Sequence, residues 1–404
     1  MDRTILHCDC NGFYASVECA MHPEYKNVPM AVCGDPQNRH GIILAKNELA
    51  KKYNVQTAET IWQAKRKCPD LVLAAAHHRE YQRYSRMINA IYQRFTDRVE
   101  PFSIDESWLD VTGCQNLFGD GKQIADTLRN TIREELGITI SAGVSFNKIY
   151  AKLGSDYKKP DATTVITRGN YQELLFPLPV SALMYVGRSA REQLDKLYIK
   201  TIGDLARSDK RLIAGKLGKV GELIHDYANG IDDSPVASIY EQREIKSVGN
   251  GITFRRNLTG IEDIRLGVRA LCDTVAGRLR KHGLKCQTLQ VTIKDPQFKV
   301  ITRQRPLPFP TNLSQELIDL SLEIVSSSWR IGAPIRMLAI TGSGLIPADQ
   351  VEEQLSFYTN PDAPARKKQE KLENAMDIIR EKYGQGAISF GTVIHNDLGI
   401  EKDD

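Results

Sequence analysis

One feature constrains the fold of this chain more than any other: its carboxylates stand at the ends of short apolar runs that lie far apart in sequence. Thr4-Ile5-Leu6-His7-Cys8 reads as a buried strand and runs directly into Asp9. Residues 98–103 and 107–111 read as two strands of a hairpin whose tight turn is Ile104-Asp105-Glu106. Ile124, Leu128, Ile132 and Leu136 recur every four residues, the apolar stripe of a helix. Residues 138–144 form another strand, which a glycine-containing turn joins to a helix near 147–153. Strands and helices mixed in this way predict an α+β domain over the first ~165 residues. Asp9, Asp105 and Glu106 can then converge over one sheet edge, and a few carboxylates beside substrate phosphates suit a hard cation such as Mg²⁺. The plainer reading of Asp105-Glu106 is a solvated turn.

The rest of the chain divides by composition. Residues 167–231 change to short helices punctuated by glycine, at Val186-Gly187 and Gly218-Lys219-Val220-Gly221, as in small modules that grip nucleic-acid backbone. Tyr185 stands where such a turn usually wants glycine, and backbone amides around Gly187 suit a phosphate. Gly230 to Pro235 breaks the helical pattern and marks a linker over 232–243. Residues 244–346 read strand, helix (262–282), strand (286–294), strand (299–305), helix (312–329), strand (336–343), a separate α/β domain. The net charge of +4 hides an asymmetry: residues 246–346 hold 15 Lys and Arg against 7 Asp and Glu, a net of +8, which leaves −4 for the remainder. A basic module on a mildly acidic body suits a polyanion, Arg303 and Arg305 on one strand face being the candidate phosphate contacts. A tail over 347–404 carries an amphipathic helix with Leu372, Met376, Ile379 and Tyr383 on one face.

Several classes are excluded. No run approaches the ~20 apolar residues of a membrane helix, and the N-terminus lacks a signal-peptide layout. Eight scattered cysteines without a Cys-x-x-Cys pair favour thiols in a reducing cytoplasm over disulfides or zinc. His77-His78 reads as a surface pair, and Trp62 and Trp329 as packing residues.

The wording around the acids is more specific. Asp9-Cys10-Asn11-Gly12-Phe13-Tyr14-Ala15-Ser16-Val17-Glu18 resembles the opening motif of the Y-family, or translesion, DNA polymerases, in their bacterial polymerase IV and UmuC-like branch. Ser103-Ile104-Asp105-Glu106-Ser107-Trp108-Leu109-Asp110 resembles that family's second metal motif. Ser141-Ala142-Gly143-Val144-Ser145-Phe146-Asn147-Lys148, continuing through Ala151-Lys152 and Ser155-Asp156 to Lys159-Pro160, resembles the third.

The resemblance implies a multidomain right hand: palm (1–11 and 76–166), small fingers (12–75), helical thumb (167–231) and basic little finger (244–346). It implies that Asp9, Asp105 and Glu106, with the main-chain carbonyl of Cys10, hold two Mg²⁺ ions. Gly12, Phe13 and Tyr14 would meet the incoming deoxynucleoside triphosphate, with Tyr14 excluding a ribose 2′-hydroxyl. Lys159 would bind the triphosphate, as would Lys51, which stands where many members carry arginine and offers a point charge in place of a fork. Glu48 does not take the triphosphate role that a tyrosine has nearby in polymerase IV-type members, and Asn11 replaces the aspartate common there without loss of a ligand. Gly187, Lys219, Arg303 and Arg305 would face primer–template DNA. Gln354-Leu355-Ser356-Phe357-Tyr358 resembles the peptide by which these polymerases bind the bacterial sliding clamp, with Phe357 for leucine and Tyr358 for phenylalanine. The expected protein is a cytoplasmic monomer that carries out low-fidelity synthesis without a proofreading exonuclease. Two other classes share the carboxylates. A palm-type cyclase needs no duplex grip, and an idle DNA-binding scaffold needs no intact acids; primer extension separates all three.

Overall fold

The N-terminal apolar run becomes β1 (Ile5–Cys10), buried along its whole length; its pairing with neighbouring strands continues past Cys8, which puts Asp9 inside the strand. α1 (Phe13–Met21) follows, then β2 (Met30–Cys33), β3 (Ile43–Lys46), α2 (Glu48–Lys52), α3 (Ile61–Lys67) and β4 (Val72–Ala75). These strands form a small sheet in the order β3-β2-β4. After α4 (His78–Tyr92) come β5 (Val99–Pro101), β6 (Glu106–Asp110), α5 (Gln115–Phe118), α6 (Gly121–Leu136), β7 (Ile140–Ser145), α7 (Lys148–Tyr157) and β8 (Thr163–Val165). The second sheet runs β5-β6-β1-β7-β8, antiparallel except for the β7–β8 pair. The expected stripe of α6 is buried at all four positions; Asp120 and Gln123 cap the helix reciprocally, and Gly137 ends it.

The computed structural model describes residues 2–34, 41–241, 244–350, 363–391 and 396–400. They fall into two compact units, residues 2–241 and 244–400.

Period-two alternation along β1 decides what each of its residues meets. Leu6, Cys8 and Cys10 share a core with Ile88, Ile91 and Tyr92 of α4 and with the α6 stripe. Ile5, His7 and Asp9 take the opposite face, where Ile5 packs with Trp108 and Ala151 of α7. The helices α8 (Tyr171–Leu175), α9 (Arg188–Asp195), α10 (Ile202–Arg207), α11 (Lys210–Leu217) and α12 (Lys219–Ala228) share a further core with Ile149, Tyr150 and Leu153 of α7.

The chain after α12, expected as a linker, is strapped to the five-stranded sheet. Arg3 donates to the carbonyls of Asp232 and Ser234, Ala237 N–H donates to Glu100, and Ile239 N–H donates to the Asp97 carbonyl. Val236 is buried beside Trp108. Turn chemistry alone marked this stretch as a break; which surface it lies on depends on partners more than a hundred residues away.

The second unit follows the expected order, with longer strands: β9 (Ser247–Leu258), α13 (Gly260–Lys281), β10 (Leu284–Lys294), β11 (Val300–Thr311), α14 (Ser314–Ser328) and β12 (Ile335–Pro347). Its antiparallel sheet runs β11-β10-β12-β9, and α13 and α14 share its core. The expected tail is not free. Leu398 and Ile400 are buried in that core, and α15 (Ala363–Tyr383) docks on the unit. The docked face of α15 is ionic, contrary to the apolar stripe expected: Glu373 and Arg380 are buried, whereas Leu372, Ile379 and Tyr383 are exposed. Arg280 binds Glu373 and Asp377, Arg380 binds Asp273, and Glu373 accepts from Ser314 N–H at the start of α14. Trp329 packs as expected, but Trp62 does not: it is 68% exposed, with the Arg66 guanidinium over its ring.

Candidate active site

Strand pairing brings the acids to one end of the larger sheet. Asp9 on β1 pairs directly with Glu106 on β6, and Cys10 N–H donates to the Asp105 carbonyl at 3.0 Å. Glu106 therefore belongs to the strand, and only Asp105 remains in the turn. Asp9 is buried and Glu106 is 19% exposed at its side chain. The Asp105 Oδ1 accepts a 2.6 Å bond from Ser103. The Cys10 side chain points into the opposite core, where burial and the nearby Asp105 and Asp9 charges push its thiol well above the ordinary range. Its backbone is at the site and its sulfur is not.

Two lysines close over this end. Gly143 on β7 and Gly154 on α7 have no room for side chains: a Cβ on Gly143 would stand 1.9 Å from the Ala151 carbonyl. That close approach lays α7 on the sheet and aims Lys152 at the acids. Its ammonium lies 2.9 Å from Glu106 Oε1 and 3.2 Å from Asp9 Oδ2, with Asp156 at 3.3 Å. Lys159 reaches Asp9 and Asp156, both at 2.7 Å. Burial pushes Asp9 up to about 6, against the pull of Lys159 and Lys152. Burial acts in the same sense on Glu106, but the His7 contact and Lys152 outweigh it and hold that carboxyl below the usual range. For Lys152 burial opposes the charge, yet Asp156, Asp9 and Glu106 raise it above an ordinary lysine.

Behind Glu106 stands a histidine that no local pattern singles out. His7 is fully buried, with Nε2 3.5 Å from Glu106 Oε2 and Nδ1 2.8 Å from Ser155 Oγ. Burial lowers it to about 4, so it is neutral at pH 7. Asn11 also has a role that its spacing does not reveal. Its amide donates to Ser141 Oγ and accepts from Asp161 N–H, both at 2.9 Å, which ties the turn after Lys159 to the end of β1.

Among the described residues no group of three or more His, Cys, Asp or Glu side chains stands placed to hold a metal ion. The donor set nevertheless fits a hard divalent cation: it is all oxygen, and two ammonium groups already supply the positive charge that the carboxylates demand.

Gly12 caps α1 with φ +54°, a conformation that favours glycine, and presents Phe13 and Tyr14 on the first turn. Phe13 is buried, and Tyr14 is half-buried, with its phenol raised by burial and by the Asp105 charge. Lys51 is exposed on α2 and pairs with Glu48 at 3.5 Å. Gly187 begins α9, with open space at its Cβ, and Lys219 begins α12 after Gly218. Arg303 and Arg305 are exposed on edge strand β11, opposite the buried Val291 and Leu289, which puts them on the helix-covered side of the sheet. Arg305 is engaged there by Ser327 at 2.9 Å and Glu323 at 3.6 Å. Gln354, Leu355, Phe357 and Tyr358 lie outside the described residues.

Comparison with known proteins agrees with this geometry. Residues 8–156 match the model of the impB/mucB/samB family, and residues 245–357 match that family's C-terminal domain. The chain is 45% identical to the DNA polymerase IV of Acetivibrio thermocellus over 402 residues, covering 100% of both proteins. It is 37% identical to that of Clostridium kluyveri over 398 residues, covering 98% of this chain and 99% of the relative. A solved Y-family DNA polymerase chimera superposes with a TM-score of 0.75 at 22% identity, covering 85% of this chain and 99% of that one. Full-length similarity at this level, over a sheet end that carries the expected acids, establishes that the chain belongs to the DNA polymerase IV group of the impB/mucB/samB, or Y-family, polymerases.

Proposed function

We propose that this chain adds deoxynucleotides to a primer 3′ end on a DNA template, with Asp9, Asp105, Glu106 and the Cys10 carbonyl holding two Mg²⁺ ions. The observation that carries the reading is the Asp9–Glu106 pairing, two carboxylates fixed at a sheet end under two lysines. Bound there, such ions stabilise the attacking and leaving oxygens of phosphoryl transfer. The chain's own groups position the substrates. Lys159, held in place by the Asn11 tether, meets the triphosphate, with Lys51 contributing a second positive charge. Amides of the Gly12, Phe13 and Tyr14 turn approach the phosphates, and the Tyr14 ring fills the space that a 2′-hydroxyl requires.

In this reading residues 1–11 and 76–166 are the palm, 12–75 the fingers, 167–231 the thumb and 244–346 the little finger. Backbone at Gly187, together with Lys219, Arg303 and Arg305, meets DNA phosphate, which positions the duplex without reading its sequence. A small fingers region holds the nascent pair loosely, in keeping with error-prone synthesis past damaged bases in which a mispaired end is not removed. Gln354–Tyr358 engages the bacterial sliding clamp, and the protein works as a cytoplasmic monomer.

Primer extension on intact and abasic templates tests this. The expected result is metal-dependent, templated extension on both, with a mispaired 3′ end left uncleaved. Products made without a template, or cyclic nucleotides, would refute it.

A further inference from the structure

α1 and α4 meet through a polar patch in an otherwise apolar core. Tyr14 and Glu18 lie one turn apart on α1, and His77 and Tyr81 one turn apart at the start of α4, so each pair shares a helix face. The rings of Tyr14 and Tyr81 stack with centroids 4.2 Å apart and planes at 14°. Below them the Tyr81 hydroxyl donates to Glu18 Oε1 at 2.5 Å, and His77 Nδ1 lies 2.9 Å from the same oxygen. His78 closes edge-on against both tyrosine rings, and Phe13 packs at the side of both.

Tyr81 and Glu18 are fully buried, and Glu18 Oε2 has no hydrogen-bond partner in its buried position. A carboxylate inside a core, with one oxygen unsatisfied, opposes folding. An apolar residue at position 18 would fill the same space without that penalty. Nor does Glu18 touch the acids at the sheet end: its side-chain partners are Tyr81 and His77. What it fixes is the Tyr81 hydroxyl, and through Tyr81 the plane of the Tyr14 ring. A tyrosine at the mouth of a site has two free torsions and is held in one orientation only by what lies behind it.

We propose that Glu18 and Tyr81 are positioning residues for sugar discrimination. Glu18 locks Tyr81, Tyr81 locks the Tyr14 ring, and the locked ring rejects a ribonucleoside triphosphate. The inference rests on Tyr14 being the sugar gate. His77 adds a second hold on the same Glu18 oxygen and orients the carboxylate. Each substitution follows from the geometry. Tyr81→Leu removes the stacking surface, Glu18→Ala leaves the ring but releases its hydroxyl, and Glu18→Gln keeps an acceptor oxygen for it.

The test measures single-nucleotide insertion of matched deoxy- and ribonucleoside triphosphates by the full-length protein and compares the ratio of their kcat/KM values. Thermal unfolding run in parallel identifies variants that fail to fold. Tyr14→Ala should raise the ribonucleotide share strongly. Tyr81→Leu should raise it on the order of tenfold, since a lost aromatic stack is a loss of that scale. Glu18→Ala should raise it several-fold, Glu18→Gln should restore wild-type selectivity, and Tyr14→Ala combined with Tyr81→Leu should match Tyr14→Ala alone. A merely structural role would lower deoxynucleotide insertion and the melting point without moving the ratio. If Tyr14→Ala raises the ratio while folded Tyr81→Leu and Glu18→Ala do not, the buttress is wrong and the gate stands. If Tyr14→Ala leaves the ratio unchanged, the gate reading fails and the buttress falls with it. Should Tyr81→Leu not fold, the contrast between Glu18→Ala and Glu18→Gln decides.

Discussion

Replacing Lys152 by alanine isolates the charge balance on which the site depends. Its ammonium bridges Glu106 at 2.9 Å and Asp9 at 3.2 Å, and the three side chains are only 15%, 19% and 6% exposed. Unit charges about 3 Å apart attract by about 5 kcal/mol at an effective dielectric of about 20. Desolvation offsets much of that, and removing one partner of a buried pair typically costs about 3–5 kcal/mol. Lys159 remains on Asp9, so the lower figure applies, and Lys152→Ala should lose about 3 kcal/mol in the absence of divalent metal. At about 2–4 °C per kcal/mol for a unit of this size, melting should fall by about 6–12 °C in chelator. In the proposed site a divalent cation would have to displace this ammonium in the wild type but not in the variant. Added Mg²⁺ should therefore raise the melting point of Lys152→Ala by more than it raises that of the wild type. The assay is thermal unfolding in chelator and across a Mg²⁺ titration. Equal melting points in chelator, or equal Mg²⁺-induced shifts, would refute the reasoning.

Three further outcomes are expected. Arg303→Ala should weaken binding to primer–template DNA and flatten the plot of log affinity against log salt by about 0.7–0.9; Arg305→Ala should change it less, because Ser327 and Glu323 already engage that side chain. Replacing Gln354, Leu355 and Phe357 together with alanine should abolish clamp-stimulated extension and leave clamp-free insertion unchanged, because tethering acts through local concentration of the primer end. Arg280→Ala, which strands buried Glu373, should destabilise the second unit by about 3–5 kcal/mol in urea unfolding; an unchanged midpoint would mean that α15 does not depend on its ionic face.

Much of this architecture is legible from local pattern. The helix and strand order of residues 244–346 follows from periodicity, and α6 buries the four residues that its spacing picks out. Asp9, Asp105 and Glu106 are legible because strand ends and a hairpin turn are local features. What sequence spacing does not carry is which distant segment lies against which. His7 is one apolar-strand residue among five until β6 and α7 close around it. Asn11 looks like a neutral replacement until its amide is seen holding Asp161. Glu18 belongs to a motif read for Asp9 and Tyr14, and its partners arrive from α4, some sixty residues later. The face of α15 misleads for a different reason. Hydrophobic periodicity assumes that apolar residues are the ones buried, and here pre-placed Arg280 and Asp273 make the charged face the better fit. Strand parity correctly puts Arg303 and Arg305 on one face, but only the neighbouring strands and helices reveal which face that is.

Glu106→Ala tests the central claim most directly. Single-nucleotide insertion by this variant should be measured beside its affinity for primer–template DNA. Glu106 faces Asp9 at the sheet end, while in the proposed reading duplex affinity comes mainly from cationic contacts elsewhere. The account predicts that insertion falls roughly a thousandfold or more while DNA affinity stays near that of the wild type. Insertion at the wild-type rate by a folded, DNA-bound Glu106→Ala protein would contradict it.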